Sequence, residues 1–108
     1  MKSPAMFHSV LAAVLGCAAP GAFAVDYHAE IAPLLRQYCA GCHNDEDFDG
    51  DFSVERYTDL KEGGSKGDMI VPGRPEESYL IKLLTGGTSD PMPPKDEPQP
   101  VAAEIELL

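Results

Sequence analysis

Cys39-Ala40-Gly41-Cys42-His43 is the stretch whose reading decides the fold. Its form, C-x-x-C-H, is that of an attachment site for a c-type haem. Two thiols three residues apart on a helical turn face the same way, and His43 comes round to the same side. Each thiol can add to one vinyl group of a porphyrin, and the imidazole then lies under the iron. Cys39 and Cys42 are therefore expected as the thioethers of one covalent haem c, and His43 as the proximal iron ligand.

Upstream, Asp26 is a candidate helix N-cap. Tyr27, Ile31, Leu34, Leu35 and Tyr38 trace one helical face. Pro33 either opens that helix as a first-turn residue or bends it. The helix runs into the haem motif, which places Leu35 and Tyr38 near the cofactor edge. Downstream, residues 44–52 form an acidic loop. Asp45, Asp47, Asp49 and Gly50 match the opening of a calcium-binding loop, but Arg56 stands where its bidentate Glu belongs. A solvated loop is the better reading.

Three further short helices are expected. Ser53 caps one that runs through Val54, Tyr57 and Leu60 and ends at Gly63-Gly64. Pro75 opens a second, with Glu76 and Glu77 in its first turn and Leu80, Ile81, Leu83 and Leu84 on its buried side. Residues 90–100 are Pro-rich and irregular. Pro100 starts the last helix, with Val101, Ile105 and Leu108 on one face. That pattern shows no stop signal after Leu108, so a C-terminal helix cut short, or a first module of a longer protein, is expected.

The chain has 108 residues, 10 Pro and 10 Gly. Its size allows one domain, and so many helix breakers allow only short helices. Residues 1–24 read as a secretory signal. Lys2 provides a small n-region, Val10 to Leu15 the apolar core, and Ala22-Phe23-Ala24 the cleavage site. The apolar run is too short for a comfortable membrane span. Lipidation at Cys17 fits less well, because Leu15 is a poor match to a lipobox. Residues 25–108 are then the haem domain, in the periplasm or otherwise exported, with no membrane span after cleavage.

Cleavage removes Lys2 alone among the Asp, Glu, Lys and Arg residues, and takes the formal charge from −10 to −11. So acidic a chain excludes nucleic-acid binding by counterion release. It steers towards basic redox partners and repels anionic ones. A domain this small buries little apolar surface and calls for a staple. After cleavage the remaining thiols are Cys39 and Cys42, so a covalent cofactor fits that need.

An iron that only carries electrons takes a sixth ligand. His8 is lost with the signal, and His28 lies on the same helix as the motif. Met69 abuts Ile70-Val71 and reads as core. Met92 sits between Pro91 and Pro93-Pro94, which forbid a helix and hold an extended loop able to press a thioether on a haem face. Met92 is therefore the expected distal ligand, and His/Met ligation leaves no open position for O2. Arg74 and Lys66 are the cations that charge alone offers to the haem propionates.

These residues resemble the planctomycete-type cytochrome c domain, of the class I-like cytochrome c superfamily. The resemblance rests on Cys39 to His43, Gly50 to Ser53, Gly63-Gly64, Val71 to Ser78 and Met92-Pro93-Pro94, in that order. It implies an all-α fold of short helices around one covalent haem, with His43 and Met92 as axial ligands. It also implies the N-terminal module of a larger exported bacterial protein, and a Trp-containing final helix that this sequence does not show. The function expected is electron transfer to redox partner proteins, with no catalytic residue. Three alternatives stand beside it. One is a haem enzyme or sensor with a displaceable Met92. Another is a thiol-redox protein using Cys39 and Cys42, which lacks the βαβ pattern such proteins carry. The last is a zinc module using Cys39, Cys42, His43 and His28.

Overall fold

The computed structural model describes residue 21 and residues 23–108. The signal segment and Cys17 fall, but for its last residues, outside the described residues. Asp26 opens the first helical segment, its carboxylate accepting from the Ala29 N–H at 2.9 Å. A π-helical turn, Tyr27–Ile31, passes into helix α1, Ala32–Tyr38, with Pro33 in its first turn. Of the two expectations, the structure bears out Pro33 as a first-turn residue. It opens the α-helix, and the widened turn before it absorbs the missing N–H.

Helix α2 is Tyr57–Glu62, α3 is Tyr79–Leu84 and α4 is Ala102–Leu107. Among the described residues there is no strand, only an isolated bridge between Gly64 and Gly67. None of the described helices is long and apolar enough to cross a membrane. The fold is all-helical.

Several helix starts differ from expectation. Ser53 does not cap α2, which begins at Tyr57 after an extended Arg56. Ser53 is instead buried, and its hydroxyl accepts from the Glu55 N–H at 3.3 Å. Pro75 to Glu77 form a turn rather than a first helical turn, and α3 starts two residues later. The cause is Ser78. Its hydroxyl is held by the Val71 N–H and by the Arg74 and Val71 carbonyls, which closes the Val71–Ser78 segment on itself. Pro100 lies before α4, whose start is fixed by Glu104. That carboxylate accepts from the Val101 N–H at 2.9 Å, and the Val101 carbonyl accepts from the Glu104 N–H at 2.9 Å.

The core joins Ile31 and Leu35 of the first helix to Phe52, Val54, Leu60, Met69, Leu80 and Leu83. Leu107 and Leu108 pack on its edge. Helix α4 is also tied to α1 by the Tyr38 hydroxyl, which donates to Glu104 at 2.9 Å. Leu60 is 0% exposed. Truncating a buried Leu costs about 2–5 kcal/mol, through lost transfer energy and the cavity left behind. Leu60→Ala is expected to lose that much stability in a denaturant titration, a large share for so small a core.

The acidic loop is organised rather than merely solvated. Arg56 bridges Asp45 at 2.8 Å and Asp59 at 2.7 Å. The residue that spoiled the calcium pattern thus neutralises the first carboxylate of that pattern. The Ser53 hydroxyl, then the Arg56 guanidinium, hold the Asp45 carboxyl below its ordinary range. A carboxyl lowered on folding adds stability above its unfolded pKa, and that stability is lost as pH falls through the folded value. Asp45→Asn is therefore expected to melt below the wild type at neutral pH and to converge with it in acid. The gap is small, because exposed pairs contribute little. Melting curves from about pH 7 down to about pH 3 check both points.

Candidate haem site

Helix α1 ends at Tyr38, so the motif lies in the turns that follow rather than on the helix itself. Those turns stay near-helical. The Cys39 carbonyl accepts from the Cys42 N–H at 3.2 Å and from the His43 N–H at 3.0 Å. Cys39 is half-buried against the core, and Cys42 is exposed. Gly41 is exposed and has open space around it, which keeps the turn between the thiols uncrowded.

The acidic loop folds back over this turn. Asn44 organises it as an Asx turn. Its side-chain oxygen accepts from the Glu46 and Asp47 N–H groups, while its amide donates to the Ala40 carbonyl. Phe48, Gly50 and Asp51 take left-handed backbone, with φ of 39°, 71° and 57°. The reversal brings the Asp49 N–H onto the Cys42 carbonyl at 3.2 Å, and the Val54 N–H onto the His43 carbonyl at 2.9 Å. It also sets the Asp49 carbonyl 2.7 Å from His43 Nδ1. A carbonyl only accepts, so Nδ1 carries the proton and Nε2 keeps a free lone pair. This hydrogen bond orients and polarises an imidazole for metal ligation. The Phe52 ring packs tilted on His43, centroids 5.4 Å apart, and steadies it.

Two adjoining clefts open on the motif. The first, of about 210 Å³, is walled by Phe52, Val54, Met69, Tyr79, Leu80 and Leu83. The second, of about 380 Å³, runs past Tyr38, Gly41, Cys42 and Leu84 to Pro93, Pro94 and Pro98. Cys39, His43, Asp49, Leu80 and Met92 line both. Together the clefts match the roughly 300–1,000 Å³ of cofactor sites, and their walls are mostly apolar, as a porphyrin requires.

Met92 reaches this place through its loop. Its N–H donates to the Leu83 carbonyl at the end of α3 at 3.3 Å. Pro93 behind it is buried. The Gln99 side-chain amide donates to the Pro94 carbonyl at 2.8 Å and the Glu97 carbonyl at 3.0 Å, which closes the proline loop. Met69 is 6% exposed within the core and also touches the first cleft. Leu35 lines neither cleft and belongs wholly to the core, whereas Tyr38 does line the second. His28 is exposed, stacks edge-on with Tyr27 at 5.3 Å, and lines neither cleft.

Burial pushes the Cys39 thiol up to about 11. Redox-active dithiols carry a lowered thiol pKa, so this environment is the opposite of theirs. Among the described residues no group of three or more His, Cys, Asp or Glu is arranged to hold a metal ion. A haem iron asks less of the chain, at most two axial ligands, because the porphyrin supplies the other four.

Sequence reasoning missed the Asp49 carbonyl and the Gln99 brace. Asp49 acts through its backbone, so its side chain says nothing of the role. Gln99 could have been noticed as the one amide side chain in a proline-rich run.

Short helices that carry a C-x-x-C-H turn, an oriented imidazole and an apolar cleft define the cytochrome c class of haem-binding domain. The family model described as planctomycete cytochrome C matches residues 39–96, more than half of the chain. The chain belongs to that family, and membership implies haem binding and haem-based electron transfer. No curated protein and no solved structure matches the chain.

Proposed function

We propose that the chain is an exported electron carrier holding one haem c through Cys39 and Cys42, with His43 and Met92 as axial ligands. One observation carries this reading: Cys39, His43 and Met92, brought together from distant parts of the sequence, line the same two apolar clefts, and Cys42 lines the second. A bound haem c supplies a one-electron iron couple. The chain's own residues do the rest. The Asp49 carbonyl holds the proton on His43 Nδ1, and Phe52 fixes the ring plane. Leu80, Leu83, Val54 and Phe52 would keep water from the buried side of the haem, and exclusion of water raises the oxidised state's cost.

Export and the domain start at residue 25 are part of the proposal. They draw support from the sequence alone, from Lys2, the apolar run Val10 to Leu15 and the Ala22-Phe23-Ala24 site. Among the described residues, cleavage after Ala24 removes none of the buried core. The place of this domain at the head of a larger protein is likewise proposed, on the resemblance alone.

A second reading, in which Met92 gives way to a small ligand, fits the same clefts. Expression with haem-maturation machinery separates the cases. The carrier reading expects a red protein that keeps its haem through denaturation and, once reduced, does not bind carbon monoxide. A colourless monomer sinks it, and rapid carbon monoxide binding transfers the site to the sensor or enzyme reading.

A further inference from the structure

We propose that Lys66 is the counter-charge of a haem propionate, and so a residue that positions the haem and sets its reduction potential. The inference rests on the haem reading above.

Lys66 is the only Lys or Arg among the residues lining either cleft. The other charged residues there are Asp49, Asp90 and Glu97, all acids. Haem c brings two carboxylates of its own into a chain with formal charge −10. A carboxylate moved out of water needs an opposite charge or several hydrogen bonds. An acidic cleft without Lys66 has no charge of that sign to offer.

The backbone around Lys66 is built to hold it there. Gly63 has φ of 72°, and a Cβ on it would overlap the Gly67 carbonyl. A Cβ on Gly64 would overlap the Gly50 carbonyl. The two glycines let the Gly64–Gly67 turn close, with the Gly67 N–H donating to the Gly64 carbonyl at 2.9 Å. The Ser65 N–H then donates to the Gly50 carbonyl at 3.0 Å. The turn that carries Lys66 is thereby fastened to the residue next to Asp49, which orients His43. The Lys66 turn and the Asp49 loop, which line the same cleft, are thus hydrogen-bonded to one another.

Lys66 is exposed, and among the described residues its ammonium forms no ion pair. Arg74, equally cationic, lines neither cleft, and its guanidinium pairs with Glu77 at 3.2 Å. The structure thus separates two residues that charge alone leaves equivalent.

The test uses the haem-loaded wild type, Lys66→Gln, Lys66→Arg and Arg74→Gln in redox titrations at low ionic strength. A positive charge stabilises the reduced haem, which is one unit more negative. Lys66→Gln is expected to lower the reduced-to-oxidised ratio at a fixed ambient potential about threefold to tenfold. At ~59 mV per tenfold for one electron, this is a fall of ~30–60 mV. Lys66→Arg should restore the ratio to within about twofold, and Arg74→Gln should leave it within about twofold. A Lys66→Gln ratio equal to the wild type's overturns the proposal. So does an equal fall in Arg74→Gln, which makes the effect one of overall charge. Failure of the haem reading is distinct, because the wild type itself then comes out colourless and both inferences fall together.

Discussion

Replacing Cys39 and Cys42 together by Ala is expected to release all haem on denaturation, where the wild type retains it. The double variant should also lose most of its helical circular dichroism at room temperature. The first effect follows from chemistry, since the two thioethers are the only covalent links proposed. The second follows from size. The apolar residues buried in the described chain are nine: Ile31, Ala32, Leu35, Phe52, Val54, Leu60, Met69, Leu80 and Leu83. Several of these also face the clefts, so without a cofactor they lose partners on one side. Domains near this size are marginal without a staple. The single variants should differ. Cys39 packs on the core and Cys42 is exposed, so Cys39→Ala costs stability through packing as well as attachment. Extraction of haem under denaturing conditions and far-UV spectra check the three variants. A double variant that stays fully helical would show that the protein builds its core without the cofactor.

Met92→Ala is expected to abolish the ferric sulfur-to-iron absorption band and to let carbon monoxide bind the reduced protein. It should also lower the reduced-to-oxidised ratio by more than about tenfold, since a thioether favours the reduced iron. Met69→Ala is the telling control. Met69 touches the first cleft but is packed in the core, whereas Met92 lines both clefts and is 38% exposed. The Met69 variant should keep the band and lose stability by about 2–5 kcal/mol, as a buried Met does. Loss of the band in Met69→Ala, with retention in Met92→Ala, would exchange the two assignments.

The haem motif was legible because its chemistry is local. Five consecutive residues present two thiols and an imidazole whatever the rest of the chain does. The helical faces through Ile31 and Leu35, Leu60, and Leu80 and Leu83 were legible too, because periodic burial leaves a periodic trace. The helix starts were less so. Ser53 and Pro75 both carry cap or first-turn signals, yet α2 and α3 begin elsewhere. Burial prevailed at one start and local side-chain hydrogen bonding at the other. Ser53 is drawn into the core beside Phe52 and Val54, and Ser78 gathers the Val71–Ser78 turn through three hydrogen bonds.

The residue types of this sequence by themselves determined the family, the all-helical class, the cofactor that membership implies and the choice of Met92 as distal candidate. Only the tertiary structure decided which carbonyl holds His43, which of two cations faces the cleft, and where the motif and Met92 stand relative to one another. The physical reason is the range of the interactions. Covalent attachment and helical periodicity act between neighbours and are written in residue identity. A backbone carbonyl has no identity to write, and the meeting of residues 43, 66 and 92 on one cleft depends on loops brought together by packing between distant segments, with glycines 63 and 64 permitting the turn that carries Lys66.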